Sequence, residues 1–218
     1  MSYRVVCVSR MTGAGGEPIG ELLAARLGFR YVDDEVIAVA ADRAGLDPSV
    51  LAAAERHKSV LARLIDALVA APAPSKRYIG AAQDSYYGED VSPPTAAVPA
   101  ESLRRFIQEA IVEIARRGQV VIVAHAASFA LAGKAEVLRV HVMASHRTRL
   151  TRLWLPNKLV SEEEYAKAIA ESDHQRRQYL ARFYDVDQES PPDYDLVINT
   201  DMLGIEQAVA AIATVATT

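Results

Sequence analysis

What most constrains this chain is the succession at its start. A short β-branched run, Val5 to Val8, leads into Ser9-Arg10 and then Gly13-Ala14-Gly15-Gly16. The stretch Ile19-Gly20-Glu21-Leu22-Leu23-Ala24-Ala25-Arg26-Leu27 follows at helical spacing and stops at Gly28. Pro18 opens that helix and Gly28 lies just past its end, the usual asymmetry of helix termini. The segment therefore reads strand, glycine loop, helix. Glycines let main-chain N–H groups converge on a phosphate, and the helix start adds partial positive charge. The competing reading is a tight strand-to-helix turn that binds nothing. The full phosphate-loop pattern is G-x-x-x-x-G-K followed by Ser or Thr, and the match is incomplete. Gly16 falls where Lys should stand, and Pro18 where the Mg²⁺-binding hydroxyl should stand.

Beyond this opening, strand and helix alternate. Phe29 to Val32 reads as a second short strand, with Asp33-Asp34 capping a helix that runs to about Ala44. A further helix starts at Asp47 or Pro48 and carries Leu51, Leu61, Leu64, Ile65 and Leu68. The pattern fails from Ala71 to Pro99, where five prolines and three tyrosines interrupt it; a loop this long inside a compact domain is usually a functional lid or arm, or disordered. Glu101 to Arg117 is an amphipathic helix, and Val120 to Val123 an apolar strand of the kind covered on both faces. Val137 to Met143 is the next strand, and His146 to Leu155 a helix broken by Pro156-Asn157. Ser161-Glu162-Glu163-Glu164 caps a helix reaching about Tyr184. Asp185 to Asp193 is a loop, Tyr194 to Asn199 a strand, and Gly204 to Val215 the final helix. This alternation predicts an α/β fold, a parallel sheet with helices on both faces and right-handed crossovers. Ligands in such sheets sit beyond the carboxyl ends of the strands.

Composition narrows the function classes. The 218 residues include 24 Lys and Arg against 28 Asp and Glu, for a net charge of −4, so a broad basic face for nucleic acid is not expected. Cys7 is the only cysteine, which excludes an internal disulfide and a Cys-rich zinc site. No apolar run approaches the length of a membrane span, and the opening Met-Ser-Tyr-Arg-Val-Val lacks a signal-peptide pattern. A cytoplasmic protein with no membrane partner is expected; the sequence leaves the oligomeric state, a homodimer included, open.

A second chemical signal is an arginine set. Arg149 and Arg152 are three apart on one helix and share a face, with Arg147 to one side. Arg176 and Arg177 lie mid-way along the next helix. Two Arg-bearing helices joined by Leu155-Pro156-Asn157-Lys158 could close over a polyphosphate, whose oxygens suit guanidinium forks. The competing reading is a pair of solvated faces, balanced by Glu162, Glu163 and Glu164.

Taken together, these segments resemble the cytidylate-kinase-like branch of the P-loop nucleoside monophosphate kinases. Ser9-Arg10-Met11-Thr12-Gly13-Ala14-Gly15-Gly16-Glu17-Pro18-Ile19-Gly20 resembles its opening, and Tyr31-Val32-Asp33-Asp34-Glu35-Val36-Ile37 carries its acidic position at Asp33. Val120 to Ala127 resembles its central strand, Ala144 to Arg152 its Arg-x-x-Arg helix, and Asp173-His174-Gln175-Arg176 with Tyr179 its Asp-Lys-x-Arg element. Tyr194 to Thr200 with Leu203-Gly204-Ile205 resembles its last strand and helix. The similarity spans nearly everything except about 45–100.

The resemblance implies one P-loop kinase-like domain over 1–218, with a five-stranded parallel core from 1–44 and 100–218. It implies an acceptor-binding arm at 45–99 and a lid at 153–183. It implies phosphoryl transfer from ATP, with Mg²⁺, to a nucleoside monophosphate. Thr12, Gly13, Ala14, Gly15 and Gly16 would hold the donor phosphates, with Arg149 near the donor base and Arg152 on phosphate. Asp173 and Arg176 would belong to the closing lid, and His125 would stand at the central-strand arginine. Asp33 and Arg10 would face the acceptor, Asp33 otherwise the metal's water shell; no side chain is assigned as a direct metal ligand.

The departures point the other way. Glu17 stands where the family often offers Arg, His125 replaces an arginine, and His174 replaces a lysine. Lys76-Arg77 in the irregular arm could return a charge. Two alternatives therefore stand beside the nucleotide kinase. One is a kinase-fold nucleotide binder with impaired catalysis. The other is a kinase of a non-nucleotide metabolite, since the arm is where the resemblance stops.

Overall fold

The computed structural model describes residues 3–33, 35–45, 100–123, 126–156 and 161–218. The helix expected near 48–68, the arm at 71–99, Lys76-Arg77 and His125 lie outside the described residues.

Five strands form one parallel sheet: β1 (Val5–Arg10), β2 (Arg30–Val32), β3 (Val120–Val123), β4 (Val137–Met143) and β5 (Leu196–Asn199), in the order β2-β3-β1-β4-β5. This is the expected α/β sheet. β1 lies at its centre, and the chain passes to one side for β2 and β3 and to the other for β4 and β5. The crevice for a ligand opens where the strand order reverses, at the carboxyl end of β1.

Each strand of the centre is buried on both faces, and side-chain alternation assigns residues to two cores. Val6 and Val8 join Leu138, Val140 and Val142 beneath α1 (Gly16–Leu27) and α7 (Ile205–Thr217). Val5 and Cys7 join Val120 and Ile122 on the other face, with α2 (Glu35–Ala44), α3 (Ala100–Arg117) and the short α4 (Ala127–Ala130). Burial pushes the Cys7 thiol well above its ordinary range, so it stays protonated and packs as a small apolar group.

Two helices lie at the site end. α5 (His146–Trp154) is capped by Ser145, whose hydroxyl accepts from the Thr148 amide. The Asp201 carboxylate in turn accepts from the Ser145 amide at 3.0 and 3.1 Å. α6 (Glu162–Tyr184) starts with the expected cap, Ser161 and Glu164 exchanging side-chain and main-chain hydrogen bonds. Tyr165 and Ala168 pack against Leu150, Leu153 and Trp154, which joins α6 to α5.

Boundaries shift where local hydrogen bonding decides them. α1 starts at Gly16, so Pro18 lies inside its first turn rather than at its first position. β5 starts at Leu196 because a 3₁₀ turn, Pro191–Asp193, carries the chain into it. α4 is too short for periodicity to announce.

Candidate phosphate site

β1 delivers the chain to the crevice at Arg10, and Met11 continues the ladder by donating to the Val142 carbonyl at 3.1 Å. The chain then turns, with the Ala14 amide on the Met11 carbonyl at 2.9 Å. Gly15 caps α1 at φ 88°, a left-handed conformation that a side chain disfavours. Gly13 is left-handed too, and a Cβ there would stand 3.0 Å from Leu153 Cδ1 and 3.1 Å from the Arg149 carbonyl oxygen. Gly16 and Glu17 follow as the first residues of the helix, whose leading amides have no intrahelical partner. Glu17, not Pro18, directly follows Gly16 and so takes the place of the Ser or Thr hydroxyl.

The loop is gripped by its carbonyls. Arg149 Nε donates to the Thr12 carbonyl at 2.6 Å. Arg152 donates to the Ala14 carbonyl at 3.1 Å, and the Thr200 hydroxyl donates to the same carbonyl at 2.8 Å. In a trans peptide the C=O and the following N–H point opposite ways. Fixing the carbonyls of Thr12 and Ala14 toward the arginines therefore turns the amides of Gly13 and Gly15 the other way.

Sharing one helix face, as their spacing predicts, sets the two arginines on one loop, and their partners are not the glutamates that open α6. Arg149 is 1% exposed, and both its terminal nitrogens go to Asp173, at 2.8 and 2.7 Å. It presents no open face to a base, in contrast to its expected place beside one; its donors join the loop to α6. Arg152 remains exposed at the surface and donates to the Thr200 hydroxyl and carbonyl at 2.8 and 2.7 Å. Its Nη1 would lie 3.8 Å from a Cβ on Gly15, against the loop. Arg147 is exposed.

Thr12 reaches α6 directly, its hydroxyl 2.7 Å from that of Ser172. Farther along α6, Arg176 is paired with Glu189 through two hydrogen bonds of 2.6 and 2.7 Å, and Tyr194 donates to the same carboxylate. Burial opposes the charge on both partners, and their pairing outweighs it. Arg176 ends above the ordinary guanidinium value and Glu189 below the usual carboxylate range. Burial and the nearby Glu189 charge push Tyr194 up. His141 stacks on Tyr194 at 4.8 Å between ring centroids, and burial holds it below its ordinary value, so it is neutral at pH 7. Arg176, Glu189 and His141 border a cavity of about 510 Å³ beside the loop, walled also by Met11, Met143 and Asp173. The Arg176 guanidinium is thus engaged by its own partner, while His174 is exposed.

On the opposite side of β1, Arg10 pairs with Glu17 at 2.8 Å. Asp33 lies just past β2 and accepts from the Tyr31 hydroxyl at 3.5 Å. Burial, then the carboxylates of Asp33, Glu21 and Glu17, push Tyr31 up to about 12, with Arg10 opposing. The structure therefore brings Thr12, the glycines, Arg149, Arg152 and Asp173 into one unit, with the Arg10 stem against Gly16 and Asp33 beyond it. Thr200, Ser172, Glu189 and Tyr194 complete the framework and were not singled out from sequence; a lone hydroxyl after a strand carries no spacing signal. Among the described residues no cluster of three or more His, Cys, Asp or Glu side chains is placed to hold a metal ion. Mg²⁺ bound largely through phosphates and water needs only one or two carboxylates; Asp33 and Glu17 have partners in Tyr31 and Arg10.

Similar proteins fit this architecture. An uncharacterized protein from Eubacterium ventriosum superposes with a TM-score of 0.62 at 13% identity, over 97% of each chain. A sugar kinase from Janibacter sp. does so at 0.50 and 12% identity, over 97% of this chain and 93% of that one. At these identities the likeness concerns the fold. A cytidylate kinase from Pyrobaculum arsenaticum is 31% identical over 103 residues, 47% of this chain, and the match spans 55% of that relative's length. The model of the cytidylate kinase-like family matches residues 5–202. With nearly all of its sheet, its glycine loop and its Arg-bearing helices inside that match, the chain belongs to the cytidylate kinase-like family.

Proposed function

We propose that this chain binds ATP at the loop 12–17 and transfers its terminal phosphoryl group to a nucleoside monophosphate or a closely related small acceptor. The observation that carries this reading is the pinning of the Thr12 and Ala14 carbonyls by Arg149, Arg152 and Thr200. A turn with no ligand has no need of three side chains that aim its amides.

In the proposed reaction an acceptor phosphate oxygen attacks the γ-phosphorus in line. The bond from that phosphorus to the β,γ-bridging oxygen breaks, and ADP leaves. A monophosphate oxygen is already ionised at neutral pH, so no side-chain base is required. Mg²⁺, held by the nucleotide, would supply charge neutralisation, with Asp33 the carboxylate at hand for its water shell. The amides of Gly13, Gly15 and Gly16 would take the donor phosphates, and Arg152 would meet the developing charge. Arg149 and Asp173 would keep loop and lid in register.

One observation favours a second reading, a nucleotide-binding protein with impaired catalysis. Arg176, the lid cation that the resemblance places on the transferring group, is engaged by Glu189 and Tyr194. A coupled assay of ADP release across nucleoside monophosphates separates the two. Acceptor-stimulated turnover supports the kinase. ATP binding without turnover on any acceptor supports the binder.

A further inference from the structure

Position 16 lacks a side chain for a reason visible in its surroundings. A Cβ built on Gly16 would lie 2.5 Å from Arg10 Cβ, 2.7 Å from Cδ and 3.1 Å from Cγ. The stem of Arg10, the last residue of β1, therefore lies across the place from which a phosphate-loop lysine would rise. Its head reaches the first turn of α1, where a terminal nitrogen meets Glu17 at 2.8 Å. A second donor nitrogen is unsatisfied: Arg10 Nε is buried and has no hydrogen-bond partner among the described residues. A cationic donor without an acceptor beside the glycine turn indicates an anionic acceptor still to come.

Resting on the nucleotide reading above, we propose that Arg10 is the phosphate-binding cation of this loop, reaching over Gly16 from the strand in place of the missing lysine, and that Glu17 is its resting counter-ion. This moves Arg10 from the acceptor side to the donor phosphates. The two halves fit one another. A lysine at 16 and an arginine stem over 16 exclude each other, so bare Gly16 and Arg10 form one solution to placing a positive charge. Glu17 keeps that charge paired while the loop is empty. The side chains of Arg10 and Glu17 are 22% and 44% exposed, and ion pairs at the surface are weak. A polyphosphate can therefore displace the carboxylate at small cost. The arrangement also makes the loop selective for highly charged anions, because a weak anion gains little by breaking the pair.

The test is calorimetric titration with ATP and Mg²⁺ of the full chain and of Arg10→Gln, Arg10→Lys, Glu17→Gln and Arg152→Ala. Arg10→Gln keeps most of the stem over Gly16 and removes the charge, so a thermal melt without nucleotide should change little. Its ATP affinity should fall by about tenfold or more, with Arg10→Lys restoring part of it. Glu17→Gln should bind ATP several-fold more tightly, by about the strength of a surface ion pair. If Arg10→Gln binds as wild type does while Arg152→Ala loses affinity, the role of Arg10 is overturned and the nucleotide reading stands. Unchanged or weaker binding by Glu17→Gln overturns the counter-ion role. If the wild type shows no binding at any accessible concentration, both the inference and the reading beneath it fail.

Discussion

Asp173 on α6 holds the Arg149 guanidinium on α5 with both carboxylate oxygens, at 2.8 and 2.7 Å. The same arginine grips the Thr12 carbonyl, so one buried side chain fixes α5, α6 and the loop together. Arg149→Ala leaves a void and an unpaired carboxylate. It should destabilise the protein by about 3 kcal/mol, read from urea denaturation. Arg149→Lys should recover only part of this, since an ammonium cannot fork across two oxygens. Denaturation curves that coincide with wild type would remove Arg149 from the framework.

Thr200 carries less bulk and a more specific job. Its hydroxyl donates to the Ala14 carbonyl at 2.8 Å and accepts from Arg152 at 2.8 Å. Thr200→Val keeps the shape and deletes both bonds, so about 1–2 kcal/mol of stability should go. The ATP-induced rise in melting temperature should shrink with it, because the Gly15 amide loses its fixed direction.

Gly16→Lys rewrites the loop toward the standard phosphate-binding pattern, and on sequence alone either a gain or no change would be open. The structure decides against a gain. The new Cβ meets the Arg10 stem at 2.5 Å, close to the main chain, where it cannot swing aside. A loss of about 1–3 kcal/mol in stability is expected, with no gain in ATP affinity, in paired melting and titration experiments.

Acid sensitivity should have an identifiable source in His141. Its pKa is lowered in the fold by burial, with Glu189 raising it and Arg176 lowering it further. Below the ordinary value of 6.5 the unfolded chain takes up a proton that the folded chain refuses, so stability falls as pH falls through that range. The lowered value of Glu189 acts only below its ordinary 4.5, outside this window. His141→Phe retains the stack on Tyr194 and removes the titration. Its melting temperature should drop less than that of wild type between about pH 7.5 and about pH 5.5.

Much of this architecture is legible in the chain. Strands at 120–123 and 137–143 emerge with the bounds their patterns indicate, the first because a wholly buried parallel strand leaves an unbroken β-branched run, the second because its valines alternate with half-buried residues. The shared face of Arg149 and Arg152 follows from helical spacing alone. What spacing cannot show is which charge meets which. Arg176 and Glu189 are 13 residues apart and meet only because α6 ends and the chain doubles back. Arg10 and Gly16 look independent in sequence, and only their crossing explains why a lysine is absent. The three acidic partners of the site arginines, Glu17, Asp173 and Glu189, are likewise chosen by packing among 28 acidic residues.

The central claim is that pinned carbonyls turn the loop's amides toward a polyphosphate. Titration of the wild-type chain and of Arg152→Ala with ATP and Mg²⁺, each against adenosine as the phosphate-free control, addresses it most directly. The account predicts saturable ATP binding by wild type, little response to adenosine, and affinity lower by about tenfold or more in Arg152→Ala. Wild-type chain that ignores ATP, or that binds adenosine as tightly as ATP, would contradict it.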